Sequence, residues 1–167
     1  MRPTHDIGPT ENRAQFVIAV FDDWDALQGV LVGMEGHVPM RGGAVLHARK
    51  DIPPLASAFR LLKEMTDLHF ARSPHHVTCT MGQLAYELSG KLARGAQSVA
   101  EALHSWLGSD QAGQLENHIE MGRLVLWVEL ETSEDYSVLC GRLVQASPHM
   151  VGLCKIRFES RHGEPNV

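Results

Sequence analysis

The chain has 167 residues, a formal net charge of −5, 44% apolar and 21% charged residues, and 3 cysteines. This length suits one domain around one core, and the acidic balance without a basic stripe excludes a broad nucleic-acid surface. No apolar run is long enough to span a bilayer, the opening MRPTHDIGPTENRAQ holds no apolar signal core, and three scattered cysteines make no disulfide framework, so a reducing cytoplasm is the expected home.

Residues 1–14 read as a flexible arm, because Pro, Gly, Thr and Asn break any periodicity. Phe16 to Phe21, FVIAVF, is a wholly apolar run typical of a central strand buried on both faces. Asp22 and Asp23 follow as helix caps, and Trp24, Leu27, Leu31 and Met34 recur at helical spacing. Gly29 and Gly33 on that helix form a small-xxx-small pattern that permits close packing. Gly36 offers a stop, PMRGG a turn, and AVLHAR a second strand.

The same order returns near the other end. Arg123 to Glu131, RLVLWVELE, reads as a strand, and TSEDYSVLCGRLVQA as a helix capped by Thr132 and Asp135. Its apolar stripe is Tyr136, Leu139, Cys140 and Leu143; Pro148 ends it, and MVGLCKIRF returns as a strand. The repeat predicts an α+β fold, a ferredoxin-like duplicated β-α-β antiparallel sheet. Its strands are expected at 16–21, 44–49, 124–130 and 150–158, with helices 23–35 and 133–146 on one face. One α+β domain over 15–160 results, followed by a flexible tail at 161–167.

Between the halves, a helical insertion is expected over about residues 53–121. PPLASAFRLLKEMTDLH carries Leu55, Phe59, Leu62 and Met65; three further helices follow, the last opened by Ser109 as a cap and closed by Gly122. SPHHVTC at 73–79 resembles SPHMVGLC at 147–154, so residues 75–80 are expected to be extended, as an added edge strand.

In the strand RLVLWVELE, Leu124, Leu126, Val128 and Leu130 share one face, while Val125 and Trp127 share the other. The fold's own two helices cover one face. The second, with Val125 and Trp127, needs either the insertion or a second subunit, and in the latter case these residues form the interface of a homodimer.

Ten histidines are scattered through the chain, and four candidate metal ligands stand out. His75 and His76 lie close to Cys79, but neighbours on a strand point to opposite faces and chelate one ion only across a bend. Glu101 and His104 form a Glu-x-x-His pair at i, i+3, half of a di-iron carboxylate site; a dimer with Glu87 as an extra ligand could complete it, and a solvated helix face is the plain alternative. No phosphate-binding glycine loop and no Gly-x-Ser-x-Gly elbow is present, no catalytic set assembles, and the sequence names no cofactor.

VIAVFDDWDALQGVL with GGAVLHARKD, and LGSDQAGQLENHIEMGRLVLWVELETSEDYSVLCGRL further on, resemble the bacterial general-stress (heat-induced stress) protein domain. The likeness covers both ends, about half of the chain, and diverges in the middle. It implies a similar fold and compartment and carries no catalytic motif. The functional expectation is therefore a non-enzymatic cytoplasmic protein acting by self-association or partner binding, with a role in stress. The alternative is a small-molecule or metal-binding module whose site lies between the insertion helices and the sheet.

Overall fold

The computed structural model describes residues 13–34, 40–48, 65–72, 77–80, 83–130, 134–146 and 149–157. In chain order these are β1 (Arg13–Phe21), α1 (Trp24–Met34), β2 (Met40–Leu46), β3 (Met65–Leu68), β4 (Val77–Thr80), α2 (Gln83–Ala93), α3 (Val99–Leu107), α4 (Ser109–Glu120), β5 (Leu124–Leu130), α5 (Glu134–Ala146) and β6 (Met150–Arg157). The architecture is α+β.

Four strands make one antiparallel sheet in the order β2-β5-β1-β6. β5 pairs with β1 and β2, and β1 also pairs with β6. β1 and β2 are therefore parallel with β5 between them, and β5 and β6 are parallel with β1 between them. Each pair is joined through one helix, α1 or α5.

Alternation along the central strands sorts the core into two layers. Val17, Ala19 and Phe21 of β1 and Leu124, Leu126 and Val128 of β5 pack with Trp24, Leu27, Leu31 and Met34 of α1 and Tyr136, Leu139 and Leu143 of α5. Phe16, Ile18, Val20, Val125 and Trp127 face the other way, against α2, α3, α4 and the β3–β4 hairpin. Val125 and Trp127 are both 0% exposed within the single chain. Of the two covers open to that face, the insertion is the one the fold supplies. Val125 and Trp127, expected either under the insertion or in a homodimer interface, are thus already covered within the single chain.

Several boundaries differ from expectation. β1 begins at Arg13, so the last two residues of the expected arm, 13 and 14, belong to the sheet, and Ala14 is buried. β2 starts at Met40 and not at residue 44, with a register shift between Met40 and Gly42. Part of the expected turn is thus strand. A Cβ at Gly43 would stand 3.3 Å from the carbonyl oxygen of Trp127, a crowded approach that glycine relieves. Met65–Leu68, expected as the end of a helix, pairs with β4 as a strand; cross-strand pairing outweighs its helical spacing. The rest of that expected helix, residues 53–64, lies outside the described residues, as do Gly36, Thr132 and Pro148. Of the extended segment expected at 75–80, residues 77–80 are seen as β4 and 75–76 lie outside the described residues; β4 belongs to the hairpin and, among the described residues, meets the main sheet at the His47–Thr78 bridge.

Asp23 caps α1, accepting from the Ala26 amide at 2.8 Å. Ser109 does not cap α4; it is the first residue of the helix, and Gly108 precedes it at φ 80°. Gly122, at φ 81°, follows the α4 terminus as expected of a left-handed stop. The α5 layer is tied down by polar contacts as well as by its stripe. Tyr136 donates its hydroxyl to the Gln15 carbonyl, and Arg142 donates to the Gly33 carbonyl near the α1 C-terminus, where positive charge is favoured.

The small-residue pattern on α1 does not serve close packing. Among the described residues nothing lies within 4 Å of a Cβ placed on Gly29, and at Gly33 the nearest atom is the Arg142 guanidinium at 3.8 Å. Both glycines are exposed. Gly29→Ala should therefore stabilise the protein by about 1 kcal/mol through the lost backbone entropy of glycine. A higher urea midpoint with an unchanged slope is the expected readout; a lower midpoint would mean that the position is packed.

Candidate functional site

Glu101 and His104 sit on α3, both exposed. Their polar atoms serve helix ends. The Glu101 carboxylate accepts from the Gln97 amide at 3.1 Å while Ser98 accepts from the Glu101 amide at 3.1 Å, a near-reciprocal cap. His104 Nε2 lies 2.8 Å from Ser109 Oγ, bridging the α3–α4 corner. The pair lines an open depression of about 290 Å³ with Ala100 and Ser109. A neighbouring depression of about 240 Å³ adds Lys91 and Arg94. Both are shallow surface features. Glu87, the supposed extra ligand, is buried at 2% exposure on α2. His75 and His76 lie outside the described residues. Among the described residues no three His, Cys, Asp or Glu side chains are grouped to hold a metal ion.

The Cys140 and Cys154 thiols are poor nucleophile candidates. Burial pushes the Cys154 thiol up to about 11, and its Sγ lies 3.8 Å from the Trp106 carbonyl. Burial also raises Cys140, and a protonated thiol is unreactive.

A polar cluster that the sequence reading missed lies where the sheet meets α4. Asp22, read as a cap, instead accepts from His149 Nε2 at 2.6 Å and from Arg123 Nε at 3.4 Å. Arg123 Nη1 lies 3.0 Å from His118 Nδ1 and 3.1 Å from the Met121 sulfur. The His118 and His149 rings are 5.7 Å apart between centroids. The four side chains come from four places: the end of β1, the end of α4, the start of β5 and the start of β6.

Strand register explains the convergence. Phe21 pairs with Leu124 and Val20 with Met150, so Asp22, Arg123 and His149 are each the first residue beyond a ladder at the same end of the sheet. α4 brings His118 to that end, and the Arg123 amide donates to the His118 carbonyl at 3.0 Å. Aligning the strands against one another in sequence would have revealed the first three, because an antiparallel pairing fixes which flanking residues meet.

The electrostatics are specific. Arginine only donates, so its contact fixes His118 Nδ1 as an acceptor and puts the hydrogen of neutral His118 on Nε2. Burial first, and then the charges of Arg123 and His149, lower the His118 pKa, with Asp22 partly opposing. The His149 hydrogen bond, the largest favourable cause, holds the Asp22 carboxyl below its usual value, assisted by Arg123. At 55% side-chain exposure the Asp22 pairs are screened, so they add little to stability.

The His118 shift has a pH signature. A histidine with a lowered folded pKa leaves the unfolded chain holding more protons near the ordinary value of about 6.5. Stability is then fully present above that value and lost as pH falls through the folded value. His118→Gln should make stability fall less steeply between about pH 7 and pH 5, measured by urea unfolding at each pH. An unchanged slope would mean that His118 protonates equally well in both states.

No family model, curated protein or solved structure compared with this chain gives a match. No helix among the described residues is long and apolar enough to cross a membrane.

Proposed function

We propose that this chain is a small-molecule-binding module, without enzymatic activity of its own, whose site is the Asp22–His118–Arg123–His149 seam between α4 and the sheet. The observation that carries the reading is the meeting of four polar side chains from four elements at one sheet end. Perturbed titratable groups concentrate at functional sites, and the exposed ion pairs of this cluster contribute little to stability. The reading takes precedence over self-association because the sheet face that motivated a dimer is filled by the insertion.

Within this proposal the sheet is the ferredoxin-like arrangement, built by duplication of β-α-β. Support comes from the strand order and from the repeated strand, helix and strand at both ends of the chain. A reducing cytoplasmic setting agrees with the free Cys140 and Cys154. A stress role rests on the sequence resemblance at the two ends.

A thermal-stability panel of anionic, neutral and cationic small molecules tests the binding reading. At least one compound should raise the melting temperature of the wild type and leave the Arg123→Met variant unmoved. A panel in which no compound acts, or in which every effect survives Arg123→Met, would overturn it.

A further inference from the structure

We infer that the seam takes a small oxyanion, either a carboxylate or a tetrahedral phosphate- or sulfate-like group. The inference rests on the binding reading above and names the ligand class for that same site.

Arg123 commits Nε to Asp22 and Nη1 to His118 and Met121; among the described residues its Nη2 makes no hydrogen bond. His118, held as an acceptor at Nδ1, keeps its hydrogen on Nε2, which has no partner among the described residues. His149 gives Nε2 to Asp22, and its Nδ1 is left to donate once the ring is protonated. Arg123 Nη2 and His118 Nε2 thus keep uncommitted N–H groups among the described residues, and His149 Nδ1 adds a third when its ring is protonated; N–H donors, charge-assisted at Arg123 and at a protonated imidazole, are what a carboxylate or phosphate oxygen recognises. A cation fits poorly. Arg123 stands among the groups that would ligate it, and no metal-ligand grouping is present among the described residues.

Charge sets the conditions. Arg123 and Asp22 cancel, so the cluster is neutral with both imidazoles neutral and gains one positive charge with each proton. The charges acting on His118 are those of Arg123, His149 and Asp22, and those acting on Asp22 are His149 and Arg123. A bound anion offsets the repulsion from Arg123 and His149 that, after burial, lowers the His118 pKa. By linkage, low pH must then tighten the anion. Asp22 is the internal competitor: it already occupies both Arg123 and His149, and its side chain is 55% exposed.

Calorimetric titration with sodium sulfate tests the inference, with chloride holding ionic strength constant. Sulfate keeps its charge across the histidine range, so any pH dependence belongs to the protein. Binding should be roughly tenfold tighter near pH 6 than near pH 8. Arg123→Met should abolish it. Asp22→Asn should tighten it at both pH values, because the competing charge goes while the shape stays; a merely structural latch predicts no gain. Malonate as a second probe separates a planar carboxylate from a tetrahedral oxyanion, and tight binding of either upholds the shared chemistry. Should Arg123→Met fail to fold, the pH and Asp22→Asn measurements still decide. Absence of binding by both probes, binding independent of pH, or no gain in Asp22→Asn would overturn the inference. If both anions fail while a neutral or cationic compound stabilises in an Arg123-dependent way, the ligand class falls and the binding site stands. If no compound of any class does so, both fall.

Discussion

Trp127→Ala should cost about 3–5 kcal/mol of stability and leave the sedimenting mass unchanged. Trp127 is 0% exposed, and its ring meets Phe16 edge-on at 6.0 Å and 75°. It stands at the centre of the layer between the sheet and α2, α3 and α4, so truncation leaves a cavity that these helices cannot close without losing contacts elsewhere. Among the described residues the indole Nε1 has no hydrogen-bond partner, so the loss is one of packing and not of a polar bond. A drop in mass would show that a second subunit covers this residue. A variant as stable as wild type would show that the insertion does not rest on the sheet.

Leu126→Ala, one residue away, should cost about 2–5 kcal/mol but disturb the opposite layer. Leu126 is 1% exposed and packs among the α1 and α5 side chains. Hydrogen exchange distinguishes the two variants. Amides of α2 to α4 should lose protection first in Trp127→Ala, and those of α1 and α5 first in Leu126→Ala. The same helices opening in both variants would contradict the alternation of β5.

Much of this layering was legible in the sequence because period-two alternation has a single physical cause. Val125 and Trp127 against Leu124, Leu126 and Val128 could be sorted to two faces without knowing what covers either. The cover itself was not legible. An apolar strand face looks the same whether it meets an insertion or another chain, and it takes the structure to place Leu88, Leu103 and Leu115 in one buried cluster with Trp127. Local spacing misled at Met65–Leu68, where a four-residue hairpin strand overrode helical periodicity. It misled again at Gly29 and Gly33, where small residues lie on the solvent side.

The seam was hidden for a different reason. Asp22 and Arg123 are 101 residues apart, and Asp22 and His149 are 127 apart; only register brings them together. Glu101 and His104 drew notice because they are local, yet local spacing is what helix capping also uses. Four residues that look like a cap, a helix end and two strand flanks when read along the chain form one constellation when read across the sheet.

Histidine-resolved nuclear magnetic resonance tests the binding claim most directly. The His118 imidazole should be in its Nε2–H form at neutral pH, coupled to Arg123 through Nδ1. When a compound that stabilises the fold is titrated in, the signals of His118 and His149 should move together while His104, bonded to Ser109 on the α3–α4 corner, stays still. Movement of His104 with His118 and His149 unmoved would place the ligand on the α3 surface and contradict the assignment of the site to the seam.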